Sequence, residues 1–362
     1  MFKPLIVVKP LIEQLFITNL LKLFICYSII QILWSLNPLF HYGGMIGHYL
    51  IYIIFFYLLK KNIRFDDIDK IFRAITYSAS LVSAIGILSY FKIINSLKFI
   101  YIPLFGGDYL FNFDLGKYHE PRASGFSMHP NILACYLLLS IISTLSINEK
   151  FLSKKYYFSL IFLQSIALIL TRSRGGILAF IFGILLLIIF DKKSSKLVFV
   201  PLSAIFLIII LNLKKYFELL KTITDLSYGS NIGRVNIWKT SIDIIKDYPL
   251  GVGILNYETI YKKYYVTGQE YLPHAHNWYL QTCIESGILA TIVFFSFYFS
   301  LIIYLLKNLP KKYFNISVSL ICFSIFNLTD YVLTDTRICL LITTIIYLGL
   351  LLTKNPNEMK DY

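Results

Sequence analysis

Runs of roughly 18 or more apolar residues recur along the whole chain, separated by short polar segments. Each is long enough, as a helix, to cross a bilayer core of about 30 Å. The pattern predicts ten membrane helices, at 11–33, 45–59, 74–91, 130–147, 156–170, 176–190, 197–213, 277–306, 313–327 and 338–352. Several are short, which leaves room for a re-entrant segment. Two longer polar stretches remain, 92–129 and 214–276. The organisation implied is seven spans within 1–213, a loop at 214–276 containing short helices, and three spans within 277–362. The expected fold class is an all-α polytopic membrane protein with about 10–12 transmembrane helices. No segment repeats at a fixed period and no inverted symmetry relates the halves.

Composition agrees. The chain is 57% hydrophobic and 15% charged, against about 25% charged in soluble domains, which excludes a single-core globule. "MFKPLIVVKPLIEQ" lacks a short apolar core with a small-residue cleavage site, so the first span is expected to be the insertion signal. Cys26, Cys135, Cys283, Cys322 and Cys339 all fall in expected spans without CxxC spacing, so neither disulfides nor a thiolate zinc site are expected.

Charge sets the orientation. "KKNIRFDDIDKIFR", "NEKFLSKK", "DKKSSK" and "KNLPKK" hold fourteen Lys and Arg, whereas "WSLNPLFHYGG", "TRSRGG" and "NLTDYVLTDTR" hold three. The first set is expected in the cytoplasm. This accounts for much of the net charge of +14 without nucleic acid, which would demand one basic soluble face. All three tryptophans (Trp34, Trp238, Trp278) and all six histidines (His41, His48, His119, His129, His274, His276) then fall on the outer side. The tryptophans suit an aromatic belt there.

Arg122, Arg172, Arg174 and Arg234 lie on that side, with Arg337 at the head of the last helix. Singly, an arginine at a helix end snorkels to lipid headgroups. Several converging on one face suit an anionic ligand, because the guanidinium fork grips phosphate bidentately and keeps its charge. In the 214–276 loop, "YGSNIGRVNIWKTSIDIIKDYPLGVGILNYE" predicts a helix capped by Ser230 or Asn231 and ended near Asp247 by Pro249 and two glycines. Val235, Trp238, Ile242 and Ile245 form its apolar stripe. Gly251-Val252-Gly253 is too weak a match for a nucleotide loop, and Asp67-Ile68-Asp69 reads as a solvated turn rather than a metal-binding DxD.

"PHAHNWYLQTCIESGILA" places His274 and His276 at the expected start of the eighth helix, whose N-terminus favours an anion. Asn277, Gln281 and Glu285 follow at helical spacing as one polar stripe. A carboxylate within a span costs roughly 2.5–3.5 kcal/mol, so Glu285 is expected to face the bundle or a wet cavity with a partner. The histidines admit three readings: zinc ligands, for which the sequence shows no compact third donor; ordinary interface residues; or a general base for a hydroxyl. Spacing leaves the last two open.

These residues together resemble the O-antigen ligase family. "PHAHNWYLQTCIESGILA" is similar to its His-Asn motif before a helix ending in Glu-x-Gly. "PRASGFSMHPNILACYLLL", "LTRSRGGILAF" and "GRVNIWKTSIDIIKDYPLGVG" are similar to three further motifs in the expected order. The resemblance covers about 120–290 and implies a GT-C-like, metal-independent glycosyltransferase without cofactors, in the bacterial inner membrane with its site on the periplasmic side. Such an enzyme moves a glycan from undecaprenyl diphosphate to a hydroxyl of lipid A–core or another glycolipid, in lipopolysaccharide biosynthesis. It implies His276 as base, and Arg122, Arg174, Arg234 and more weakly Arg172 as diphosphate ligands. His274, Asn277, Glu285 and Asp330 are implied as supporting residues, with Asp335 a rival to Asp330. A polymerase using a second lipid-linked glycan, a protein O-oligosaccharyltransferase and a polysaccharide flippase are the alternatives.

Overall fold

A computed structural model of the chain describes residues 4–91, 122–124, 129–145, 154–190, 199, 202–203, 210, 229–265 and 273–354. Among these it is helical throughout, without a strand. Glu13–Leu33, Pro38–Asn62, Phe65–Tyr90 and Ile288–Asn308 are long and apolar enough to cross a membrane, and Pro130–Thr144, Lys155–Leu170, Arg174–Phe190 and Thr336–Leu352 are shorter apolar helices. The chain is an all-α membrane protein. The span expected at 197–213, most of 92–129 and parts of 214–276, at 214–228 and 266–272, fall outside the described residues.

The helix starts carry local signals. Asn37 caps the helix begun by Pro38, accepting from the N–H groups of Leu39 and Phe40. His129 Nδ1 accepts from Asn131 N–H at 3.2 Å, and Asp335 caps Thr336–Leu352. Asp67 accepts from Lys70 Nζ and from Arg64 N–H, but Ile68 is buried and Asp69 lies in the first turn of the helix Ile68–Tyr90 with its Oδ1 buried, so the expected solvated turn holds for Asp67 alone.

The helices gather into two compact units. The first comprises Met1–Leu58, Asp225–Leu309 and Asn327–Tyr331; the second Leu59–Thr224, Pro310–Phe326 and Val332–Tyr362. In the second, buried polar side chains tie apolar helices together. Asn315 Nδ2 donates to the carbonyls of Ile142 and Ser143, and Gln164 Nε2 to Thr76 O and Ser80 Oγ. Such bonds satisfy amides that neither lipid nor core could solvate.

In the first unit Pro4–Ile30 packs on Ile288–Asn308, with Phe24 and Phe294 rings 4.9 Å apart. Here the structure corrects the expected span 277–306. The chain forms Trp278–Ser286, breaks at Gly287, and resumes as Ile288–Asn308. Gly287 has φ 83° and ψ 166°, a region essentially restricted to glycine. The chain doubles back there, since Trp278 lies 4.9 Å from Phe295 and 5.2 Å from Tyr298. Trp278 is therefore an interior aromatic rather than a belt residue. The polar stripe Asn277, Gln281, Glu285 belongs to this short helix and not to a span.

The helix expected in the loop is Gly229–Asp247. Ser230 and Asn231 lie inside its first turn rather than capping it. Its buried face is Ile237, Ser241 and Ile244, while Ile242 is exposed, so the apolar stripe is rotated from the expected one. Ile237 and Ile244 form one core with Val252, Tyr257, Ile260, Tyr261, Ala275 and Ile284. That core supports the loop carrying the two histidines.

Candidate functional site

The Pro249–Gly253 loop lies against the end of Trp278–Ser286 and satisfies its terminal groups. Val252 N–H donates to Ile284 O, Gly253 N–H to Glu285 O, and Ile288 N–H to Pro249 O, each at 2.9 Å. Carbonyls at a helix C-terminus have no partner within the helix, and here the loop supplies one. The approach is so close that a Cβ on Gly251 would sit 2.3 Å from Gly287 N. These glycines are a backbone contact, consistent with discounting a nucleotide loop.

The histidine loop is fixed from both sides through Ala275. Its N–H donates to Gln281 Oε1 at 2.8 Å, and its carbonyl accepts from Trp238 Nε1 at 3.1 Å. Gln281 Nε2 donates in turn to Glu285 Oε1 at 2.9 Å. Glu285 lies outside the candidate spans, buried, and also accepts from the backbone of Tyr257 and Leu255. Burial pushes its pKa up to about 7, opposed by those bonds. The partner expected for Glu285 is thus Gln281. The sequence places Gln281 in a polar stripe and Trp238 in an apolar stripe and an aromatic belt; their hydrogen bonds to Ala275 follow from the fold alone.

His276 has φ 46°, a left-handed conformation in which histidine is enriched among non-glycine residues. Asn277 follows as N-cap, accepting from Leu280 N–H at 3.0 Å, and donates from Nδ2 to Leu328 O at 2.9 Å. Trp278 N–H donates to Asn327 O at 2.9 Å. The short segment Asn327–Tyr331 is thereby held against the helix start, and it delivers Asp330. His276 Nδ1 lies 3.1 Å from Asp330 Oδ1, with side-chain exposures of 13% and 5%. Tyr331 N–H donates to the same carboxylate oxygen at 2.8 Å. The His274 ring is 4.1 Å from that of His276.

Two expectations change here. Asp330 and Asp335 part company: Asp335 caps its own helix and pairs with Arg337. The sequence also shows no compact third metal donor for the histidines, yet the fold brings Asp330 to them across 54 residues of chain. The donor atoms of His274, His276 and Asp330 all lie within 4.8 Å of one another.

The arginines divide between the units. Arg234 precedes Trp238 by one turn on Gly229–Asp247, and its buried Nε has no hydrogen-bond partner among the described residues. In the second unit Arg122 Nε donates to Thr171 O at 2.7 Å and Nη2 to Asn131 Oδ1 at 3.0 Å. This groups Arg122, Arg172 and Arg174 around one turn. Arg172 has φ 54°, and Ser173 Oγ accepts from Gly176 N–H to cap Arg174–Phe190. Arg122 also braces this turn, a role its sequence does not suggest. His41, bonded to Ser28 O and Ile254 N–H, is buried and structural.

Residues 159–295 match the family model described as O-antigen ligase. The match spans well under half of the chain and marks this segment as similar to the O-antigen ligase family. The family segment contains Arg172, Arg174, Arg234, His274, His276, Asn277 and Glu285, whereas Arg122 and Asp330 lie outside it. No curated protein matches the chain. Within the matched segment the Glu-x-Gly and Pro-x-Gly-x-Gly motifs are two sides of one backbone contact, and the His-Asn motif is a left-handed turn followed by its helix cap.

Proposed function

We propose that this chain transfers a glycan from undecaprenyl diphosphate to a hydroxyl of lipid A–core or a similar glycolipid, at the periplasmic face of the bacterial inner membrane. The observation that carries the proposal is the His276–Asp330 pair at a capped helix start, its histidine within the segment that matches the O-antigen ligase model. His276 Nδ1–H donates to Asp330, which fixes the tautomer and leaves Nε2 free to take the acceptor's proton. The hydroxyl then attacks the anomeric carbon opposite the diphosphate, inverting its configuration, and the C–O bond to diphosphate breaks. Arg234, whose buried Nε has no partner among the described residues, suits the departing diphosphate, whose charge a guanidinium neutralises without a metal. The resemblance adds Arg122, Arg172 and Arg174 as donor-binding candidates. Asn277, Gln281 and Glu285 position the loop.

The test uses purified protein in liposomes with undecaprenyl-diphosphate glycan and a chelator. One vessel receives lipid A–core and a second receives only further donor. A single shifted band with lipid A–core is the expected result. A ladder from donor alone identifies a polymerase instead, and product in neither vessel overturns glycosyl transfer and returns the flippase reading.

A further inference from the structure

We propose that His274, His276 and Asp330 form a binding site for a borderline divalent cation such as zinc, and that occupancy switches transfer off. The three donor atoms lie within 4.8 Å of one another, and His276 Nδ1 and Asp330 Oδ1 are 3.1 Å apart. Ligand bonds of about 2.0–2.1 Å in a tetrahedral zinc site put neighbouring donors roughly 3.3 Å apart, so that pair already has the required bite. Rotation of the His274 ring, 4.1 Å from that of His276, brings in the third ligand. Three protein ligands leave a fourth position for water.

The donor set selects the metal. Two imidazoles and one carboxylate suit zinc, cobalt or nickel; magnesium and calcium require oxygen-rich shells. The adjacent helix N-terminus adds partial positive charge, which disfavours ions held by charge alone. The backbone geometry is fixed beforehand, since Ala275 is held by Trp238 and Gln281, and the Asp330 segment by Asn277.

Inhibition follows from which lone pairs the cation takes, and this consequence rests on the base assignment above. Coordination through His276 Nδ1 requires the other tautomer of the neutral ring: the proton shared with Asp330 leaves Nδ1, and one proton is taken up at Nε2 through solvent. Nε2 then carries hydrogen and accepts none. Coordination through Nε2 occupies the accepting lone pair directly. Either way the acceptor hydroxyl keeps its proton.

Chelator-stripped protein in detergent is titrated with cobalt(II) without substrate, and the visible absorption of low-coordinate cobalt is recorded. Wild type develops the band, and zinc displaces it. His274→Ala and Asp330→Asn, with His274→Gln as a gentler variant, weaken cobalt binding by more than the roughly 10–100-fold that loss of an outer partner costs. Only variants that melt like wild type are compared. In a parallel assay zinc stops wild-type transfer, a chelator restores it, and residual transfer by His274→Gln resists zinc. No cobalt band in wild type, or an unchanged band in all three variants, overturns the site. A band with zinc-insensitive wild-type transfer overturns the inhibition. Because binding is read optically, loss of the base assignment is a separate result, seen as unimpaired transfer by His276→Ala in chelator.

Discussion

Two turns in this protein share one local design. In the first unit His276 takes a left-handed conformation, Asn277 caps, and Trp278 begins a helix; in the second Arg172, Ser173 and Arg174 do the same. Each presents a chemistry-bearing side chain just ahead of a helix N-terminus. Their bracing differs. The arginine turn is held by nearby atoms, with Thr171 Oγ1 accepting from Ser173 N–H, and by Arg122 on Thr171 O. The histidine turn depends on three distant segments: Gly229–Asp247 through Trp238, Pro249–Gly253 through the helix end, and Asn327–Tyr331 through Asn277. A turn that need only present charge tolerates local support. One that aligns a proton acceptor with a carboxylate needs bracing from several directions.

The strongest way to break the comparison is Gly287→Ala. The added Cβ meets the Leu250 carbonyl carbon at 2.4 Å, in a backbone region barred to alanine. We expect loss of the folded first unit and of all transfer, read by thermal melting in detergent and by the liposome assay. No counterpart glycine with positive φ supports the arginine turn among the described residues, so no single substitution there should match this effect.

Next come the two caps. Ser173→Ala should cost about 1 kcal/mol of stability and little more. Asn277→Ala removes a cap and also releases Leu328, so transfer should fall at least about tenfold further, as expected when a near-attack geometry slips. Equal losses would show that the Asn327–Tyr331 segment is not held by Asn277. Comparable in size is Trp238→Phe, which keeps an aromatic ring and leaves the buried Ala275 carbonyl without its donor, at about 1–3 kcal/mol. The loss should appear in kcat more than in KM.

The most gradual effect concerns pH. Glu285 has a folded pKa of about 7 against 4.5 for an ordinary carboxyl. Between these values the folded chain keeps a proton that the unfolded chain has released. This contribution is therefore fully present below about pH 4.5 and lost as pH rises through 7, by ~3 kcal/mol at most. Glu285→Gln should flatten that part of the melting-temperature profile between pH 5 and pH 8. An unchanged profile would mean that Glu285 does not titrate there.

Much of this was legible in the chain. Apolar run length located the apolar helices among the described residues, and Pro249 with its glycines ended Gly229–Asp247 as expected. The break at Gly287 was hidden because apolar residues continue through it, and only the backbone angles and the packed loop reveal a reversal. The tilt of the buried stripe toward Ile237 and Ile244 was hidden because a period places a face, not its partner. Asp330 lies 54 residues beyond His276, and its role depends on carbonyls of Asn327 and Leu328 that carry no side-chain signal. The resemblance singled out Asp330 and Asp335 together; the cap at Thr336 separated them.

The central claim is that His276 and Asp330 act as one unit in proton transfer. A double-mutant cycle on transfer in chelator, using His276→Ala, Asp330→Asn and the pair, tests it most directly. Groups acting together are strongly non-additive. The account predicts that His276→Ala loses about 10²–10⁴-fold, that Asp330→Asn loses less, and that the double variant is no worse than His276→Ala alone. Losses that multiply in the double variant would contradict it.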